Sequence, residues 1–182
     1  AALRRLDAES LRDAILQVSG QWNSTMGGPS VPVTEDGEGK AVIGTQNRRN
    51  GLFDSVSGAG SMAHRRSIYI ASLRSLPLNE LQTFDLPEMT PNCQVRDAST
   101  VAQQALFFMN DPFVIEASMR MSESLLTQHQ DSEAQIREAF LQLFACQPST
   151  GRLRECIHFL EQQTEALRAN TDTEWKQEME KR

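Results

Sequence analysis

The residues best suited to binding chemistry are charged side chains in two segments, one after a glycine-rich stretch and one between prolines. The candidate interaction residues are His64, Arg65, Arg66, Asp85, Glu88 and Arg96. Arginine presents five N–H donors in a fixed fork, so such a set can bind a ligand or fix a loop through a buried polar joint. The second use is favoured, with Asp97 as a further member, because buried ionic networks tend to specify geometry.

Asp85 and Glu88 flank Leu86 and Pro87 and have the residue types of a glycosidase acid pair. Such enzymes place two carboxyl groups about 5–9.5 Å apart and raise the pKa of one of them. The sequence places no other carboxylate against these two, so turn formation and helix capping are their favoured roles. The alternative function is a polysaccharide-binding or polysaccharide-degrading enzyme domain, with the glycine-rich stretch as a lid.

Patterns for metal binding and nucleophilic catalysis are weak. The three histidines lie far apart in the sequence. Ser61 precedes His64 by three residues, but its surroundings lack the Gly-x-Ser-x-Gly pattern of a hydrolase. Cys93, Cys146 and Cys156 are too few for a disulfide framework, and the last two are expected to be small buried apolar residues. We therefore predict no metal site, no catalytic residue and no cofactor in this segment.

Composition argues against two classes of partner. The formal net charge is −6, and basic residues occur only as scattered doublets, whereas nucleic-acid binders carry a basic face or stripe. The sequence contains no apolar run near the roughly 20 residues that a membrane helix needs. We expect neither a nucleic-acid partner nor a membrane span. The chain begins without methionine, so we expect a fragment of a longer protein.

Residues 96–116 predict one helix that stops and a second helix that restarts at once. A hydroxyl at Ser99 or Thr100 can cap the first helix. Asn110 and Asp111 interrupt the apolar pattern, and Pro112 suits the first turn of a helix behind an aspartate cap. Such a tight joint forces two apolar helices to share a core.

Helical spacing predicts four further helical segments. One covers 7–23, with Arg12 on its charged, solvent-facing side, and a shorter one covers 78–84. A third begins at Asp131 or Ser132, and Pro148 and Ser149 mark the turn into a fourth. The last two helices should form an antiparallel hairpin. The polar tail 171–182 is either a short docked helix or a frayed end.

Residues 24–66 break this helical pattern. Eight of the ten glycines fall between Gly27 and Gly60, and the stretch is far longer than an ordinary connection. Apolar islands at 31–33, 41–43 and 51–53 suit short strands or docking points. The predicted fold class is mainly α: a multi-helix bundle with a long Gly-rich loop insertion at 24–66 and one or two short strands. The helices and the insertion together form a single domain over 1–170.

Five sequence motifs occur in the same order as in a known protein family, which the chain therefore resembles. They are RRLDAESLRDAIL (4–16), RRSIY (65–69), SLP (75–77), FDLP (84–87) and STVAQQAL followed by NDPFV (99–114). This set resembles the PSD domain, a C-terminal domain of unknown function in large planctomycete proteins, often found with a cytochrome-c-like domain. The chain departs from the family pattern at Gln103, where proline is common, and at Ala145-Cys146, where Gly-Arg is usual.

The resemblance implies an extracytoplasmic parent protein with a signal peptide and with haem elsewhere in the chain. It supplies no reaction, so no catalytic residue is transferred. The function we predict is a non-catalytic helical interaction or structural module, packing against other domains of the parent protein. Polysaccharide is the partner under the alternative function.

Overall fold

The computed structural model describes residues 5–46, 53–55, 60–87 and 99–180. Within these ranges the helices are α1 (Ala8–Val18), α2 (Asn79–Thr83), α3 (Ala102–Asn110), α4 (Pro112–Gln128), α5 (Ser132–Phe144) and α6 (Thr150–Glu180). The strands are β1 (Val33–Glu35), β2 (Ala41–Gln46) and β3 (Phe53–Ser55). The mainly helical class is confirmed.

The chain forms two compact units, Ala1–Met121 (unit 1) and Ser122–Arg182 (unit 2), and the boundary between them falls within α4. Unit 1 contains α1 to α3, the three strands and most of the buried apolar residues. Unit 2 contains the end of α4 with α5 and α6. The single domain over 1–170 stays a prediction.

The core of unit 1 joins α1, α2 and α3 to the glycine-rich insertion. Leu16 of α1 and Val31 of the insertion are completely buried. Phe84 packs edge-to-face against Phe107, with ring centroids 5.3 Å apart. Such aromatic pairs add about 0.5–1.5 kcal/mol to the gain from burial alone. Helix α1 ends before the predicted residue 23 because Gly20 adopts a left-handed conformation, with φ of +71°.

The glycine-rich insertion contains a small antiparallel sheet in the strand order β1-β2-β3. Val33 pairs with Ile43, so two of the predicted apolar islands lie opposite each other. Two isolated bridges join the beginning of the insertion to its end and to the residues just after it, Asn23 to Arg65 and Val31 to Ile70. In the residues after the insertion, Ser67–Tyr69 forms a 3-10 turn.

The joint between α3 and α4 follows the prediction at Asp111 and Pro112. The N–H of Phe113 donates to Asp111 Oδ1 at 3.0 Å, so Asp111 caps α4 and Pro112 is its first residue. The predicted hydroxyl cap of α3 is wrong. Val101 holds the cap position without a side-chain bond, because the Ser99 hydroxyl donates to Asp85 instead, at 2.8 Å.

Unit 2 is built on the predicted helical hairpin. Asp131 caps α5 through the N–H of Ala134 at 3.0 Å, and Ser149 accepts from the N–H of Arg152 at 3.3 Å near the start of α6. Ala145 ends α5 in the left-handed conformation. Helix α6 runs for 31 residues and includes most of the predicted tail. At 1.5 Å per residue it is about 46 Å long, against about 20 Å for α5.

Candidate functional site

Arg65 fastens the beginning of the insertion to its end. The residue is only 3% exposed and follows the 3-10 turn Gly60–His64. Its guanidinium donates to the carbonyl oxygens of Pro29 at 2.9 Å and of Gly27, and it lies 3.9 Å from the ring centre of Tyr69. A planar guanidinium can stack on a ring and use its edge for hydrogen bonds at the same time. The geometry therefore makes Arg65 a loop-fixing residue.

Arg12 holds the end of the insertion against α1, and its predicted solvent-facing position is wrong. It is 3% exposed and donates to the carbonyl oxygens of Ala63 at 2.7 Å and Arg65 at 3.0 Å. Ala8, Arg12 and Leu16 are the buried residues of α1. Their spacing of four residues places all three on one helix face, which is the signal that could have located Arg12. We call Arg12 and Arg65 the arginine clasp.

The electrostatics of the clasp involve Glu80 of α2. Burial lowers the pKa of Arg12, and the negative charges of Glu80 and Asp13 partly oppose that effect. Burial also raises the pKa of Glu80, against the opposite influence of its own N–H and of Arg12. Arg12 and Glu80 line a small internal cavity together with apolar side chains such as Phe113. The negative charges of Glu80 and Asp13 therefore offset part of the electrostatic cost of burying Arg12.

The neighbours of Arg65 in sequence have different surroundings. His64 is half-buried, and this burial lowers its pKa. Arg66 is exposed, and its Nε lies 3.7 Å from Asp13. The same aspartate accepts from both the N–H and the hydroxyl of Ser67 at 2.7 Å. The three consecutive residues thus serve different contacts and do not converge on one ligand.

Asp85 has a separate set of partners. Its carboxylate accepts from the N–H of Ser99 at 2.7 Å, from the Ser99 hydroxyl, and from Arg5 at 2.5 Å. These bonds, led by the Ser99 N–H, lower the pKa of Asp85 to about 2. A general acid must carry a proton at the working pH. Asp85 is ionised at neutral pH, and its oxygens already accept hydrogen bonds, so it is poorly suited to that role. Glu88, Arg96 and Asp97 lie outside the described residues.

Replacing Asp85 with asparagine tests this assignment. The pKa of Asp85 is depressed when folded, so its stabilising contribution is present above pH 3.8 and is lost as the pH falls toward about 2. Asp85→Asn should therefore lower the midpoint of urea unfolding at pH 7, with a smaller difference at pH 2.5. Equal losses at both pH values would contradict the assignment.

Unit 2 carries an apolar groove of about 620 Å³ between the end of α4, α5 and α6. Its main apolar walls are Leu125, Leu126, Phe140, Phe144, Phe159 and Leu160. Several of these side chains remain open to solvent: Leu126 is 63% exposed, Phe144 62% and Phe159 57%. The sequence predicted the hairpin but not the groove, since the spacing of apolar residues does not show whether another element covers them.

The polar groups that line the groove already have partners. Arg152 bonds Glu155 at 3.2 Å, and the Gln135 amide donates to the carbonyl of His129 at 2.7 Å. Pockets for small polar ligands place a few convergent polar groups to orient the ligand. This groove lacks that arrangement and offers an apolar surface instead.

One comparison with known proteins covers most of the chain. The family model PSD1, described as "Protein of unknown function (DUF1553)", matches residues 1–160. This chain belongs to the PSD1 family. Searches of curated proteins and of solved structures gave no match. Family membership confirms the resemblance seen in the motifs, and it assigns no reaction.

Among the described residues of this PSD1 chain, no group of three or more His, Cys, Asp or Glu side chains could hold a metal ion. None of the helices in those ranges combines the length and apolar character needed to cross a membrane.

Cys146 and Cys156 are free thiols. Cys156 is half-buried in the groove, whereas Cys146 is exposed at the hairpin turn and not buried as predicted.

Proposed function

We propose that this chain is a non-catalytic interaction module, whose apolar groove in unit 2 receives an apolar helix face from a neighbouring domain or partner. The observation that carries the proposal is the set of large apolar side chains exposed around one groove. Contiguous apolar patches on soluble proteins commonly mark interaction sites. Each such side chain contributes about 1.5–3 kcal/mol when it becomes fully buried.

The walls of the groove favour a helix as its occupant. Its described lining residues lie on three helices, and helix-in-groove recognition places apolar residues at i, i+3 or i+4 and i+7 between such walls. Phe144 and Phe159 are aromatic, a residue type enriched among the anchors of protein interfaces.

The setting of this module is a further part of the proposal. The resemblance to the planctomycete PSD domain supports a large extracytoplasmic parent protein, with the occupant of the groove in another of its domains. Haem bound elsewhere in that parent would not involve this segment. Fractionation of the native cells, followed by detection of the chain, tests the location: recovery in the cytoplasm would contradict it.

A neutral helical peptide with leucines on one face and glutamines on the other tests the groove. Titration of the full chain should give binding, and Phe159→Asp should weaken it at least tenfold by placing a charge in the apolar wall. Met26→Asp is the matched control, because Met26 lies in unit 1 and is 81% exposed.

Thiol alkylation gives a second measurement on the same samples. The bound peptide should slow alkylation of Cys156, which lines the groove, and leave the exposed Cys146 unchanged. Absence of binding, or binding that Phe159→Asp does not affect, would overturn the proposed function.

A further inference from the structure

An acidic surface adjoins the apolar groove in unit 2. Asp131 and Glu133 at the start of α5 face Glu161 and Glu165 of α6, and among the described residues that line this depression Arg168 is the one basic side chain. Leu160 lines both the depression and the groove, so the two surfaces are continuous. We propose that the partner is an amphipathic helix with lysine or arginine along its polar face. This inference rests on the proposed function.

Glu161 and Glu165 are the members of this surface best placed to meet a cation. Asp131 is engaged as the cap of α5, and Glu133 pairs with Arg137 at 2.7 Å. Glu161 and Glu165 have no ion-pair partner among the described side chains, and they are exposed four residues apart on one helix face. Like charges at this spacing repel each other mildly, and a bound cation relieves that repulsion.

Charge complementarity favours this basic helix over a second copy of the chain as the occupant of the groove. The chain carries a net charge of −6, and its unit 2 contains more acidic than basic residues. Two copies packed groove to groove would bring two acidic surfaces together, and like charges across an interface disfavour association. A basic helix meets the same surface with complementary charge. The groove supplies apolar contact, and the glutamates favour a partner helix whose polar face is basic.

Three helical peptides with one leucine face and a lysine, glutamine or glutamate polar face test the inference on the full 182-residue chain. At low salt the lysine peptide should bind on the order of tenfold more tightly than the glutamate peptide, since exposed ion pairs contribute about 0.2–1 kcal/mol each. Raising the salt concentration should reduce this preference.

The double variant Glu161→Lys with Glu165→Lys should reverse the order of the peptides. Glu35→Lys with Glu38→Lys is the matched control, because it makes the same change in net charge on exposed residues of unit 1. Helix content measured by circular dichroism should be unchanged in both variants, because all four side chains are exposed.

The outcomes separate this inference from the proposed function. Equal, salt-independent binding of all three peptides would overturn the basic partner and leave the groove as a docking site. Binding of the lysine peptide that Phe159→Asp does not weaken would place it outside the groove and overturn the proposed function. Reversal by the double variant, together with sensitivity to Phe159→Asp, supports both.

Discussion

Arg12→Ala is expected to lower the free energy of unfolding by about 2–6 kcal/mol, because two buried carbonyl oxygens lose their hydrogen-bond donor. Arg12 donates to the carbonyl oxygens of Ala63 and Arg65, both in buried residues. Without the guanidinium these acceptors lose their bonds, at about 1–3 kcal/mol each. Because small proteins are stable by only about 5–15 kcal/mol, unfolding in urea should show the loss clearly.

Two variants define what Arg12 contributes. Arg12→Lys keeps the charge but not the fork, so it should recover only part of the stability lost in Arg12→Ala. Arg66→Ala is the surface control, because Arg66 is exposed, and it should change stability by no more than about 0.5 kcal/mol. A loss in Arg12→Ala as small as that in Arg66→Ala would contradict the buried assignment.

Arg65→Ala is expected to release the start of the insertion from its end, with a loss of about 3 kcal/mol or more. The guanidinium of Arg65 donates to the carbonyl oxygens of Pro29 and Gly27 and stacks on Tyr69. Limited proteolysis under native conditions should then cut within residues 24–46 at least tenfold faster than in the wild-type chain. Opening of that segment no longer has to break these bonds.

The comparison with Arg66→Ala applies here as well, since the two arginines are adjacent and differ chiefly in burial. Proteolysis of Arg66→Ala should follow the wild-type rate. Equal cutting rates in Arg65→Ala and Arg66→Ala would show that Arg65 does not hold the insertion.

Local signals allowed much of the helical part to be predicted. Asp111 and Pro112 give the joint between α3 and α4, because a cap and an N1 proline act within one helical turn. Asp131 and Ser149 give the starts of the two hairpin helices for the same reason. The end of α1 was missed because Gly20 closes it while apolar spacing continues to Trp22.

Long-range contacts account for what the sequence did not predict. A charged side chain on an amphipathic helix usually lies toward solvent, and the acceptors of Arg12 are about fifty positions away in the chain. The bonds from Asp85 to Arg5 and Ser99 likewise join distant segments. Arg65 was predicted to fix the insertion, but only the folded chain shows that carbonyl oxygens, and not carboxylates, receive its hydrogen bonds.

The partners of the clasp have an evolutionary consequence. Nearly all the hydrogen-bond acceptors of Arg12 and Arg65 are main-chain carbonyl oxygens, which every amino acid possesses. Side chains at positions such as Thr25 can therefore diverge without weakening the attachment, provided that the backbone keeps its course. The other exposed positions of the insertion are likewise suited to variation, whereas its buried residues Val31, Val33, Ala41 and Ile43 must continue to fit the core.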